Sequence, residues 1–279
     1  MKTILVPIDF SQNAENALRY AIMLSDKWQA KLILFHSFYT YHASGYSSAS
    51  GGSSGEEAGH RVAVQELTEL YTRLAPDSTR EVEYLSSRSE MLEQVLRIVQ
   101  EKHVDLVVMG TQGIGRLAGK FLGTNASRVV AYTSCPVIVV PESLATYSLR
   151  HMAYASNYQP GDIPTLKTVA AMADAFGAEL SVVHVTPYET TEEKHAFMLF
   201  EQKVRNEITE PDISFKTLPG SDVEDTLVSY LRQKEADLLV MSARQRDLFD
   251  KIFGKSITQL MTLHLQAPIM VFHHKKLNK

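Results

Sequence analysis

The 279 residues contain one cysteine and one tryptophan. A lone thiol, Cys135, excludes an intramolecular disulfide framework and fits a reducing compartment. Surplus charge is also lacking. Lys and Arg number 28 against 32 Asp and Glu, a net charge of -4. That balance argues against nucleic acid or an anionic membrane as the main partner. Long apolar runs are missing too. The first, at 4–8, is too short for a signal-peptide core, and no other reaches the ~20 residues of a membrane span. A soluble cytoplasmic protein is expected. Ten histidines are present, but none stands at a strong metal-ligand spacing with cysteine. No nucleophile–base arrangement is readable, and paired carboxylates occur only at ordinary helix-surface spacing. The expectation is therefore no metal site and no catalytic residue.

What is present is alternation. Short β-rich runs at 4–8, 31–38, 80–85, 104–109 and 136–140 alternate with stretches of helical apolar spacing. Those stretches run from Ser11 to about 28, over 61–74, from Ser89 to about 102, and over 124–133. Apolar strands separated by helices predict a parallel sheet covered on both faces, a doubly wound α/β fold. Ligands of such sheets sit beyond the carboxyl ends of the strands. Asp9, Ser37 and Gly110 all fall at such ends. Between 39 and 59 lies a Ser/Gly-rich stretch unable to bury a core, read as a loop or lid.

The chain repeats itself. His36 recurs as His184 and Leu18 as Leu166, an offset of 148. Met109 recurs as Met241 and Pro136 as Pro268, an offset of 132. The difference assigns about sixteen extra residues to the first copy, where the Ser/Gly stretch lies. Two tandem domains are expected, at 1–145 and 149–279.

The main chemical signal is Gly110-x2-Gly113-x9-Gly123-Thr124. Glycines after a buried strand let backbone N–H groups approach an anion, and a following helix N-terminus adds unpaired donors and a favourable dipole. A tight strand-to-helix loop with no ligand is the plain alternative. Two other patterns fail. Gly113-x-Gly115-x-x-Ala118 follows the wrong strand for a dinucleotide fingerprint, and Gly254–Lys255–Ser256 lacks the first glycine of a Walker loop. The second copy replaces Gly110, Gly113 and Gly123 by Ser242, Gln245 and Lys255, and Asp9 by Asn157. One site per chain, in the first copy, is expected.

The runs ILVPIDFS at 4–11, VDLVVMG at 104–110 and SCPVIVV at 134–140, with His36 and the glycine spacing, resemble the universal stress proteins in their tandem two-domain form. The resemblance covers nearly the whole chain. It implies two Rossmann-like domains of the adenine nucleotide alpha hydrolase type, each a five-stranded parallel sheet, paired through their last strands as a pseudo-dimer. It further implies that Asp9 binds ribose hydroxyls, that Pro7 and the backbone of Ser37 border adenine, and that Met109 and Gly110 lie beside the nucleoside. Gly113, Gly123, Thr124 and Asn125 would cradle the phosphates of ATP, with or without Mg2+. For Asp9 a turn or capping role is the alternative. Three functional readings follow: a nucleotide-binding stress-response regulator, a ligand-free scaffold of the same fold with or without further self-association, and a nucleotide-processing enzyme.

Overall fold

The computed structural model describes residues 1–38, 53–111, 124–144, 146–158, 161–188, 190–209, 211–244 and 267–274. The first half runs β1 (Thr3–Pro7), α1 (Gln12–Trp28), β2 (Lys31–Ser37), α2 (Ser53–Leu74), β3 (Val82–Ser87), α3 (Met91–Glu101), β4 (Leu106–Gly110), α4 (Thr124–Tyr132) and β5 (Val137–Val140). The second runs β6 (His151–Ala155), α5 (Asp162–Phe176), β7 (Glu179–Thr186), α6 (Thr191–Glu207), β8 (Ile213–Pro219), α7 (Val223–Lys234), β9 (Leu238–Arg244) and β10 (Ile269–His274).

The ten described strands form one sheet, in the order β3-β2-β1-β4-β5-β10-β9-β6-β7-β8. Within each half the neighbours are parallel, while β5 and β10 pair antiparallel. That pairing sets Met270 opposite Ile138, which are the same position in the two copies. Trp28 and Phe176 are likewise equivalent, and their rings meet edge-on at 5.6 Å. Only residues on a twofold axis can meet their own copies, so a pseudo-twofold axis passes through both contacts. The junction also removes two sheet edges that would otherwise invite association.

Strand composition explains the layering. Alternate residues of a strand face opposite sides. Ile4, Val6, Leu32 and Leu34 pack with Ala17, Leu18 and Leu24 of α1. Leu5, Ile33, Val107 and Val139 pack with Val95 of α3 and Val129 of α4. Helix α1 starts where Ser11 accepts a hydrogen bond from the Ala14 amide at 3.2 Å and ends at Gln29, in the left-handed region at φ 55°. Its copy α5 ends the same way at Gly177, φ 66°.

The repeat extends to polar fastenings. Asp105 Oδ2 accepts from the amides of Lys2 and Thr3. Asp237 Oδ2 accepts from those of Arg150 and His151, the equivalent pair. Register refines the alignment: Leu32 pairs with Val82 and Leu180 with Ile213. The offset is therefore 131 at the third strand, and the second half carries one extra residue before α7.

Three local expectations are corrected. Helix α2 begins at Ser53, inside the stretch read as loop. Glu56 lies in its first turn, where a carboxylate complements the helix dipole. Strand β3 is displaced two residues C-terminal to the sequence reading. The cap of α3 is Glu90, whose carboxylate accepts from the Glu93 amide at 3.0 Å, and not Ser89. The Ser89 carbonyl instead accepts from the Ser37 hydroxyl at 2.6 Å.

Candidate functional site: the crevice at the strand ends

In the first half, β1 lies between β2 and β4. The chain leaves β1 toward β2 on one side and later returns to β4 on the other. The crevice between β1 and β4 is thus a topological switch point, where ligands of open α/β sheets bind. Asp9 follows β1 and Gly110 ends β4.

Asp9 is fixed by a turn. Its Oδ1 accepts from the Ser11 amide at 3.1 Å and the Ser11 hydroxyl at 2.6 Å. Short Asp and Asn side chains favour this local bond, which orients the carboxylate at the strand end. Between them, Phe10 adopts φ 62°, a strained setting for a bulky residue. Its ring lies 4.7 Å from that of His36. His36 Nδ1 donates to the Ile8 carbonyl at 2.7 Å. The second half repeats all three features. Tyr158 sits at φ 58°, its ring is 4.4 Å from His184, and His184 Nδ1 bonds the Ser156 carbonyl at 2.8 Å. Because both halves carry the arrangement, His36 belongs to the fold and needs no ligand to explain it.

The remaining expected residues divide. Pro7 is buried at the end of β1 and pairs with Phe35. Ser37 ends β2 with its hydroxyl committed to Ser89, so its backbone is what it offers a ligand. Met109 is 5% exposed, its side chain in the α3–α4 layer. Gly110 is half-buried. A β-carbon there would lie 2.7 Å from the Asn13 carbonyl atoms. Replacement by Ser242 in the second copy implies that the fold does not need glycine here; that expectation is corrected, because packing of α1 on β4 in the first half requires it. Thr124 opens α4 and Asn125 is exposed in its first turn. Gly113 and Gly123 lie outside the described residues, as does most of the Ser/Gly stretch. On the far side of the crevice, Glu90 bonds Arg128 of α4 at 2.6 Å. The Glu93 amide, with help from Arg128, holds the Glu90 carboxyl below its ordinary range.

The equivalent crevice of the second half is chemically different. Ser242 replaces Gly110, and its hydroxyl donates to Asp162 at 2.9 Å. Tyr154 and Ser156 also donate to that carboxylate, at 3.1 and 2.7 Å. The first-half counterparts of Tyr154, Ser156, Asp162 and Ser242 are Val6, Ile8, Ala14 and Gly110. A buried polar cluster has replaced an apolar one. Gln245, Lys255 and Ser256 lie outside the described residues.

Sequence reasoning missed one pair at the rim. His60 Nδ1 and Ser86 Oγ are 2.7 Å apart, and the His60 ring stands edge-on to Phe38 at 5.2 Å. The partners come from α2 and β3, separated by 26 residues. No motif spacing marks such a pair; only the fold does. Among the described residues no cluster of three His, Cys, Asp or Glu side chains suits a metal, and no helix is long and apolar enough to cross a membrane.

Two doubly wound α/β units that share one sheet across a pseudo-twofold axis define a tandem Rossmann-like protein. The chain matches the universal stress protein family over residues 1–141 and again over 159–273, and it belongs to that family. A universal stress protein of Thermus aquaticus is 28% identical over 139 residues, which are 50% of this chain and 98% of that protein. One from Mycolicibacterium smegmatis is 23% identical and covers 96% of both chains. A solved universal stress protein of Archaeoglobus fulgidus superposes with a TM-score of 0.74 at 14% identity, covering 98% of each chain. The resemblance read from the sequence motifs, and the tandem α/β fold, are thereby established.

Proposed function

We propose that the first half, residues 1–145, binds an adenine nucleotide, ATP with or without Mg2+. The second half, 149–279, would not, and the chain would act as a cytoplasmic, nucleotide-responsive stress regulator. The observation that carries this is the asymmetry of the two crevices. They share strand order, His–aromatic stack and backbone conformation. The first keeps a carboxylate after β1 and the glycine spacing after β4; the second has Asn157 and a side-chain-filled cluster around Asp162. In this reading Asp9 accepts from ribose hydroxyls, a task suited to a carboxylate. Pro7 and the Ser37 backbone border the base, and Met109 and Gly110 flank the nucleoside through their main chain. Gly113, Gly123, Thr124 and Asn125 hold the phosphates at the start of α4. Binding is the proposed activity. The rival reading is a ligand-free scaffold, favoured by the packing reason found for Gly110.

Thermal unfolding with and without millimolar Mg-ATP decides between them, because a ligand that binds only the folded state must stabilise it. A rise in melting temperature is expected. Asp9→Ala combined with Gly113→Val abolishes it, and Asn157→Ala leaves it intact. No rise in the wild type, or equal loss from Asn157→Ala, overturns the reading.

A further inference from the structure

In the second half, at the end where the strands begin, a row of hydroxyls leads to an imidazole. Strand β8 is the outer strand of the sheet, and Ser214 on it is exposed. Ser214 pairs in register with Ser181 of β7, and their hydroxyl oxygens are 3.0 Å apart. Ser181 Oγ lies 2.8 Å from His151 Nε2, and His151 Nδ1 lies 3.1 Å from the Lys234 carbonyl. A carbonyl only accepts, so Nδ1 carries the proton of the neutral ring and Nε2 accepts from Ser181. Ser181, having given its one proton to Nε2, accepts from Ser214. The Leu180 carbonyl, at 3.5 Å, is the longer alternative for the Ser214 hydroxyl. The direction of each bond is thereby set: Ser214 to Ser181, Ser181 to His151, His151 to the end of α7. Ser181 and His151 are buried, at 4% and 9% exposure. Of the three, Ser214 alone faces solvent.

The fold does not require this chain of hydrogen bonds. The first-half counterparts of His151, Ser181 and Ser214 are Thr3, Ile33 and Glu83. Glu83 there forms ion pairs with Lys31 and Lys102, at 2.8 and 2.7 Å, and Ile33 is a core residue. The second half has replaced them by a hydroxyl, a relay and a base whose ring is oriented by a third group, the arrangement of an activated nucleophile. The Lys234 carbonyl belongs to the last turn of α7. That is the negative end of the helix dipole, which accommodates the charge His151 takes up when it accepts a proton. Lys216 stands two residues beyond Ser214 on the same face of β8, about 7 Å along the strand. Its ammonium rests 5.7 Å from the centre of the Tyr230 ring. One cation matches the single negative charge that develops on a carbonyl oxygen under attack. A phosphoryl group in transfer carries more.

We propose that Ser214 is a nucleophile that takes an acyl group from an activated carboxylic ester, with Ser181 as proton relay and His151 as general base. Ser214 Oγ bonds to the ester carbonyl carbon. Its proton passes to Ser181 as the Ser181 proton passes to His151 Nε2. The bond from that carbon to the leaving oxygen then breaks, and the leaving oxygen takes the proton back through the same chain. Water hydrolyses the acyl-serine and restores Ser214. The site lies at the opposite strand ends from the nucleotide crevice and does not depend on it. The probe is p-nitrophenyl acetate with the full chain. Peptide mapping by mass should place an acetyl group on Ser214, and Ser214→Ala, an exposed change, should remove the matching burst of nitrophenolate. Ser181→Ala and His151→Gln should slow acetylation of Ser214 about a hundredfold, the scale of general base catalysis. Ser181→Thr keeps the hydroxyl and should retain most of the rate. Wild type unfolded in urea should react as slowly as Ser181→Ala, because the relay exists only in the fold; this arm stands even where a buried substitution prevents folding. Acetylation of lysines alone overturns the inference. So does a Ser214 that reacts equally fast in the folded and urea-unfolded wild type, or in a folded Ser181→Ala protein.

Discussion

Gly110 lies so close to Asn13 that a β-carbon on it would sit 2.7 Å from the Asn13 carbonyl carbon and oxygen. In the second half Ser242 occupies the place of Gly110, and Gly161 that of Asn13. Bulk has crossed the contact from helix to strand.

Gly110→Ala is therefore expected to destabilise the chain, by about 1–3 kcal/mol, the usual range for an overpacked contact. Denaturant unfolding measures it. Adding Asn13→Gly should recover little of the loss, because the Asn13 carbonyl carbon and oxygen that a β-carbon would meet are backbone atoms that glycine keeps. A Gly110→Ala protein as stable as the wild type would refute the packing argument.

The ion-pair cluster at Glu15 gives a pH prediction. Hydrogen bonding to Arg73 first, and to Arg19, holds the Glu15 carboxyl below its ordinary value of 4.5 despite opposition from burial. A carboxyl depressed in the folded state contributes stability above the unfolded value, and that contribution disappears as pH falls through the folded one. Wild type should thus exceed Glu15→Gln in unfolding free energy near neutrality, and the gap should close below pH 4.5. A gap that does not change with pH would show that the charge on Glu15 contributes nothing.

Trp28 is the single tryptophan, and it meets Phe176 on the pseudo-twofold axis. Its fluorescence therefore reports the junction between the halves. One sheet runs through both halves, with Val137, Ile138, Val139, Ile269, Met270 and Val271 fully buried where they meet. Trp28 emission and far-UV circular dichroism should then follow a single coincident transition in denaturant. Junction opening at lower denaturant than loss of secondary structure would contradict this.

How much of this the sequence disclosed depends on the range of the interaction. Apolar alternation and the internal repeat gave the strand order's ingredients, and Asp9, Ser37 and Gly110 were legible as strand-end residues because that is a local property. Helix α2 was missed before Arg61 because Ser and Gly have poor helical propensity, and tertiary packing overrides propensity. The Gly110–Asn13 contact spans 97 positions and the His60–Ser86 pair 26. Neither leaves a spacing signature. The Glu90 cap was hidden for another reason: Ser89, a better capper by type, stands next to it in the sequence.

The second half offers the sharpest test of how a duplicated site is closed. Asp162 is 4% exposed and accepts from three hydroxyls, of Tyr154, Ser156 and Ser242. Burial, reinforced by the Asp162 charge, pushes the Tyr154 phenol far above its ordinary range, so it remains a donor at any working pH. Asp162→Ala removes the acceptor that these three hydroxyls share. Tyr154 and Ser242 are 3.2 Å apart and can pair, while Ser156 retains its bond from the Tyr158 amide at 2.9 Å. The expected loss is about 3 kcal/mol, since an unsatisfied buried polar group costs more than its bond contributes. Removing the orphaned partners should reverse much of it. The triple variant Tyr154→Phe, Asp162→Ala, Ser242→Ala approaches the apolar set of Val6, Ala14 and Gly110 and leaves Ser156 in place. It should be more stable than Asp162→Ala alone by urea unfolding, although it carries two further changes. A triple variant less stable than the single one would mean that volume, and not polar satisfaction, holds this cluster together.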